Sequence, residues 1–186
     1  DAPVSATLDI PEFQRDHNRR ITWRYLLTQT SEWSGTLFDK PDQVDHYREV
    51  GTGSKNARKG QRRPLSEPGA YWEYNDVRVN VLSLALLHVF RKPLPDVLAE
   101  RVMRPIGASD TWSWNGYRNS SVTIDGKPMI SVPGGTHWGG GLWIDCFDHA
   151  RFGLLIAGEG DWNGRRIVSA DWIRGLSTPI EIYPVY

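Results

Sequence analysis

The stretch PGAYWEYNDVRVNVLSLALLHVF at residues 68–90 constrains this chain more than any other. From Val77 to Phe90 apolar residues cover almost the whole helical surface, leaving a narrow polar stripe through Asp76, Asn80 and Ser83. A helix apolar on nearly every side is buried, because none of its faces gains by contact with water. The rest of the chain must therefore wrap it. Asn75 or Asp76 can cap this helix, since either side-chain oxygen can accept a bond from a first-turn amide. Tyr74 then stands immediately before the helix, with the positive end of the dipole directed at whatever lies beside it. A phenol fixed in such a field is a candidate for proton transfer.

Trp72, Tyr74 and the apolar helix after them resemble the Tyr-x-Asn segment of the serine β-lactamase and penicillin-binding-protein-like hydrolases, in the branch near class C β-lactamases and their esterase relatives. The third position of the motif is Asp76 here, not Asn. ITWRYLLTQTSEWSG at 21–35 is similar to the family segment T-x-R-x-L-L-x-H-T-S-G, with Gln29 where His is usual. GGGLWIDCFDHARFGLLIAGEGDWNGRRIVSADWI at 139–173 resembles the glycine turn, helix, N-G turn and S-x-x-W element that follow later in the family. The three matches occur in the family's order and cover most of the chain.

The resemblance implies an α+β fold, predominantly α in this chain: the helical portion of a β-lactamase/transpeptidase-like fold with one small β-hairpin. Residues 1–186 are expected to form a single helical domain, the middle of a larger hydrolase. No serine among them has a lysine three positions on, and no K-T-G or H-x-G follows the last helix. His137-Trp138-Gly139 spells H-x-G but precedes the helix that the family's motif follows.

In the chemistry implied by the resemblance, a serine attacks an ester, amide or lactam carbonyl, and water hydrolyses the acyl-enzyme. Tyr74 would share a proton with the lysine of S-x-x-K. Asp76 occupies the place of the Asn that holds the substrate carbonyl or that lysine. Trp72, His137, Trp138, Gly139 and Gly140 are the candidate pocket residues, and no cofactor or metal is implied. The chain alone is expected to be inactive. A different class of function is a non-catalytic binding or interaction module on the same scaffold, which Asp76 and Gln29 favour. A metal group of His137, Asp145, Asp148 and His149 lacks any recognised ligand spacing, and Asp145 and Asp148 are better read as helix caps.

Charge argues against nucleic acid as a partner: Lys plus Arg and Asp plus Glu each number 22, giving a formal net charge of zero. SKNARKGQRRP at 54–64 supplies five cations without interleaved aromatics, and is read as a solvated loop. No apolar run reaches the roughly 18 residues of a membrane span. Neither the single Cys146 nor the amino-terminal residues assign a compartment. If the helix normally packs on a sheet lying elsewhere, exposed apolar surface would promote self-association.

Along the chain, residues 1–20 read as an extended lead-in. Thr22 caps a short helix ending near Thr30, and a short helix is expected around 43–50. Pro95 suits the first position of a helix reaching Met103, with a Glu100–Arg104 pair on its face. Residues 110–117 read as an aromatic loop and 122–132 as a hairpin about Asp125-Gly126. Asp145 caps a helix ending at Gly158, Asn163-Gly164 makes a tight turn, and Ser169 caps a last short helix.

Overall fold

A computed structural model describes residues 1–42, 63–134 and 140–182. The apolar stretch forms α2, Asp76–Phe90, which joins two of the three apolar clusters among the described residues; α1, Trp23–Leu27, packs beside it. Of the two candidate caps Asn75 takes the position, in extended conformation, its side-chain oxygen accepting from Arg78 N. The polar stripe is buried along with the apolar faces: Asp76, Asn80 and Ser83 all lie inside. Only Val89 and Phe90, in the last turn, are exposed.

Val77, Val81, Leu84 and Ala85 meet Val4, Phe13, Ile21, Leu26 and Trp33 in one cluster. Each Val, Leu, Ile or Phe side chain so removed from water contributes about 1.5–3 kcal/mol. Residues 1–20 are thus part of the core and not an extended lead-in. Three 3-10 turns, Val4–Ala6, Pro11–Phe13 and Asn18–Arg20, fold this segment against α2. Buried Asn18 locks it in place, donating to Glu12 O and Ser34 O and accepting from Ser34 N. The local polarity of the segment hid its buried anchors Val4, Ile10 and Phe13.

Leu87 continues into a second cluster with Leu94, Ile124, Met129 and Val132. Here α3, Leu94–Leu98, runs into a π turn, Ala99–Met103. Pro95 stands at the second helical position, one later than expected, because Pro93 takes the N-cap. Glu100 pairs with Lys92 at 2.5 Å rather than with Arg104, since the wider π turn alters the i, i+4 geometry.

All sheets among the described residues are two-stranded and antiparallel. β1, Thr36–Leu37, pairs with β2, Lys40–Pro41. β3, Ser113–Asn115, lies within the expected aromatic loop and pairs with β6, Gly141–Trp143. The expected hairpin is present as β4, Ser121–Ile124, and β5, Lys127–Ile130, with positive φ at both Asp125 and Gly126. β7, Asp161–Trp162, and β8, Arg165–Arg166, flank the Asn163-Gly164 turn. The fold is α+β, with the hairpin joined by three further short ladders.

Two capped helices complete it. Asp145 accepts from Phe147 N and Asp148 N at the start of α4, Cys146–Ala157, and Ser169 accepts from Trp172 N at the start of α5, Ala170–Leu176. Leu155 of α4 packs on Met103 and Ile106 in the third cluster. The helix expected around 43–50 lies outside the described residues. No helix among the described residues is long and apolar enough to cross a membrane.

Candidate active site

Tyr74 is positioned by the segment before α2, which is sewn to the turn after α1. Gly69 N donates to Thr30 O at 2.8 Å and Glu73 N to Gln29 O at 3.1 Å. Gly69 has φ +93°, and a Cβ there would lie 2.6 Å from the Tyr25 ring, so only glycine fits. Held in this way, half-buried Tyr74 donates its phenolic hydrogen to Asp76 Oδ1 at 2.6 Å. Asp76 is itself 5% exposed and sits in the first turn of α2, where the dipole favours a carboxylate.

One turn further along the polar stripe, Asn80 Nδ2 donates to the Tyr117 hydroxyl at 3.0 Å, and Asn80 Oδ1 accepts from Gly134 N at 3.1 Å. Burial pushes the Tyr117 phenol above its ordinary range; the bond from Asn80 pulls the other way, and the nearby Asp76 charge adds to the rise. Asp76 is therefore close enough to act on both phenols, Tyr74 through a direct bond and Tyr117 through its field.

Tyr117 was not among the residues expected from the sequence, where it closed an aromatic loop. Its signal is the run of glycines near it in space. A Cβ on Gly140 would lie 2.7 Å from the Tyr117 ring and 2.6 Å from Pro133, and one on Gly134 would lie 2.0 Å from Val79. Both described ends of the glycine-rich loop thus approach the same place, with Trp114 Nε1 anchoring Pro133 O at 2.8 Å. Of the expected pocket residues, Gly140 lies against Tyr117 and Trp72 stands half-buried two residues before Tyr74. His137, Trp138 and Gly139 lie outside the described residues.

Asp145 and Asp148 are engaged as cap and ion-pair partner. Asp145 caps α4, and fully buried Asp148 accepts from Ser109 N and Ser109 Oγ and pairs with Arg151 at 2.9 Å. The Ser109 hydroxyl bond holds the Asp148 carboxyl below its usual range, with burial opposing and Arg151 assisting. Among the described residues no group of three or more His, Cys, Asp or Glu side chains could hold a metal ion.

This arrangement can orient a phenol, accept its proton on an adjacent carboxylate and present a second phenol nearby. A family model described as Beta-lactamase matches residues 1–172. Protein Rv1367c of Mycobacterium tuberculosis is 27% identical over 129 residues, a match covering 61% of this chain and 32% of that protein. A D-stereospecific amidohydrolase from Streptomyces sp. superposes with a TM-score of 0.60 at 18% identity, over 99% of this chain and 59% of its own. A penicillin binding protein from Bacillus halodurans gives 0.57 at 20% identity, over 96% of this chain and 55% of its own. These structural likenesses concern the fold. The chain spans about a third of the curated relative and a little over half of these two solved chains.

Proposed function

Because the chain belongs to the β-lactamase family, we propose that it is the helical portion of a serine hydrolase in which Tyr74 transfers the proton. The substrate is an ester, amide or lactam, and the nucleophilic serine and its lysine come from protein outside these 186 residues. The serine hydroxyl gives its proton to that lysine as its oxygen bonds to the substrate carbonyl carbon, and the tetrahedral centre collapses to an acyl-enzyme as the bond to the leaving group breaks. Tyr74 gives its phenolic proton to that leaving group and recovers one when water enters. A proton moved by a positioned side chain is worth roughly 10²–10⁴-fold in rate.

The observation that carries this reading is the 2.6 Å bond from Tyr74 to Asp76 at the buried start of α2. A short bond to a carboxylate fixes the phenol's rotation before its proton passes to the leaving group. Asn80 and the Tyr117 phenol it bonds lie within the field of the same carboxylate, and Tyr117 is assigned to contact the substrate. Ester, amide and lactam are left undivided, because choice among them depends on pocket shape rather than on fold.

The test is labelling of the full-length protein with a fluorescent fluorophosphonate, read by intact mass, beside a chromogenic-ester assay of wild type and Tyr74→Phe. The expected result is one adduct on a serine outside residues 1–186 and ester turnover lowered about 10²–10⁴-fold by the substitution. A folded full-length protein with neither adduct nor turnover would sink the hydrolase reading and leave the binding module.

A further inference from the structure

A buried ion cluster flanks the Tyr74–Asp76 pair, and the chemistry proposed above gives it no part. Its centre is Glu32, which has no exposed surface. Glu32 Oε1 accepts from Arg63 Nη2 and Arg78 Nη1, each at 2.7 Å. Its Oε2 accepts from Arg63 Nη1 at 2.6 Å and Ser66 N at 2.8 Å. Glu73 joins through Oε2, 2.9 Å from Arg63 Nη2 and 3.6 Å from Arg78 Nη1. The Tyr71 ring lies under the Arg63 guanidinium, 3.7 Å from its centroid. Two carboxylates face two guanidiniums, so each buried charge has a partner. Arg63 is thus drawn partly inside by this cluster, although it sits in the cationic run read as a solvated loop.

Two features separate this cluster from an ordinary buried ion pair. The family segment matched at 21–35 ends T-S-G, and Glu32 occupies the glycine position, with φ +50°. That left-handed region suits glycine, and a side chain is kept there at a conformational cost. The cluster's members also bracket the reacting pair. Glu73 immediately precedes Tyr74, and Arg78 lies two residues beyond Asp76 in the first turn of α2. Glu32 joins these two ends to the turn after α1. The phenol and its carboxylate are therefore suspended between two side chains that converge on one anchor.

Resting on the proton-transfer reading of Tyr74, we propose that Glu32, Arg63, Glu73 and Arg78 are positioning residues that hold the Tyr74 phenol against Asp76. They touch no substrate. They replace the backbone freedom of a glycine with an ionic clamp, so that α2 and the segment before it move as one body. Burial disfavours the Glu32 carboxylate, but the bonds from Arg63 and the charge of Arg78 outweigh it and hold the group below its usual range. The clamp is therefore intact at neutral pH.

The test uses the full-length protein carrying fluorotyrosine, with the Tyr74 fluorine resonance assigned by its loss in Tyr74→Phe. Glu32→Gln and Arg63→Met are compared with Ser169→Ala, which removes only the α5 cap and serves as a control for lost stability. Both cluster variants are expected to shift or split the Tyr74 resonance. They should lower kcat on a chromogenic ester about 10- to 100-fold with KM changed less than about threefold. Ser169→Ala should leave the resonance and kcat unchanged. Arg63, with a 21% exposed side chain, can be removed while the Glu32–Arg78 pair remains, so Arg63→Met decides if Glu32→Gln does not fold. A folded Arg63→Met protein with an unmoved Tyr74 resonance overturns the proposal. If the wild type has no esterase turnover, the hydrolase reading fails, and the resonance alone then decides the positioning claim.

Discussion

Asn80 ties together two parts of the site that are far apart in sequence. Its amide nitrogen restrains the Tyr117 phenol while its oxygen holds the backbone of Gly134. Replacement by leucine, similar in size but without either polar atom, would remove the bond to the phenol and leave Gly134 N without this acceptor. The loss is expected to be about 1–3 kcal/mol for a buried group left unsatisfied. The bond from Asn80 opposes the upward push of burial on Tyr117, so Asn80→Leu should move that phenol's titration to still higher pH. Ultraviolet titration of phenolate, with Tyr117→Phe to assign the signal, checks this. A Tyr117 transition that stays in place or moves down would contradict the geometry.

Among the elements, α2 depends most on its start. Asn75 is fully buried and works in two directions, capping Arg78 N and donating its side-chain amide to Asp42 O. Asn75→Ala removes the cap, worth about 1 kcal/mol, and the hydrogen bond to Asp42 O, worth about 0.5–1.5 kcal/mol, so a total loss of about 1.5–2.5 kcal/mol is expected. Asn75→Asp keeps the cap acceptor and loses only the donor, and should fall between. Denaturant midpoints at constant m measure both. Equal midpoints for the two variants would show that the cap contributes nothing, since both have lost the bond to Asp42. A lost cap also unravels the turn carrying Asp76, so Asn75→Ala should impair the proposed chemistry more than its stability cost alone explains.

At the scale of the molecule, the Glu32 cluster makes the fold acid-sensitive. The unfolded chain's Glu32 would titrate near its ordinary value of 4.5, and the folded chain's below it. Between those values the unfolded state binds more protons, so stability falls as pH drops through that window and is fully present above it. Melting temperature against pH should decline below about pH 4.5 in the wild type, and less steeply in Glu32→Gln. Parallel curves would remove Glu32 as the cause. The surface carries a second expectation. Trp143, Phe147, Leu154 and Leu176 are each more than half exposed, and Phe147 and Leu154, seven residues apart, share a face of α4. The 186-residue chain is expected to self-associate with rising concentration, as sedimentation velocity would register. A monomer at every concentration would refute it.

What could be read from the sequence was local. The burial of α2 follows from its composition, the caps at Thr22, Asp145 and Ser169 from single side chains, and the 125–126 turn from an Asp-Gly pair; each depends on neighbours within a few residues. The ordered motifs also sufficed to reach the family. Tertiary structure alone decided the rest. It chose Asn75 over Asp76 as the cap, which freed Asp76 to receive the Tyr74 phenol. It brought Tyr117 to Asn80 across 37 residues and Glu32 to Arg78 across 46. It drew Arg63 out of a cationic run and Val4 and Phe13 out of a polar lead-in. Such contacts are set by how the segments pack around one buried helix, and a side chain's partner at that distance leaves no periodic trace in the chain.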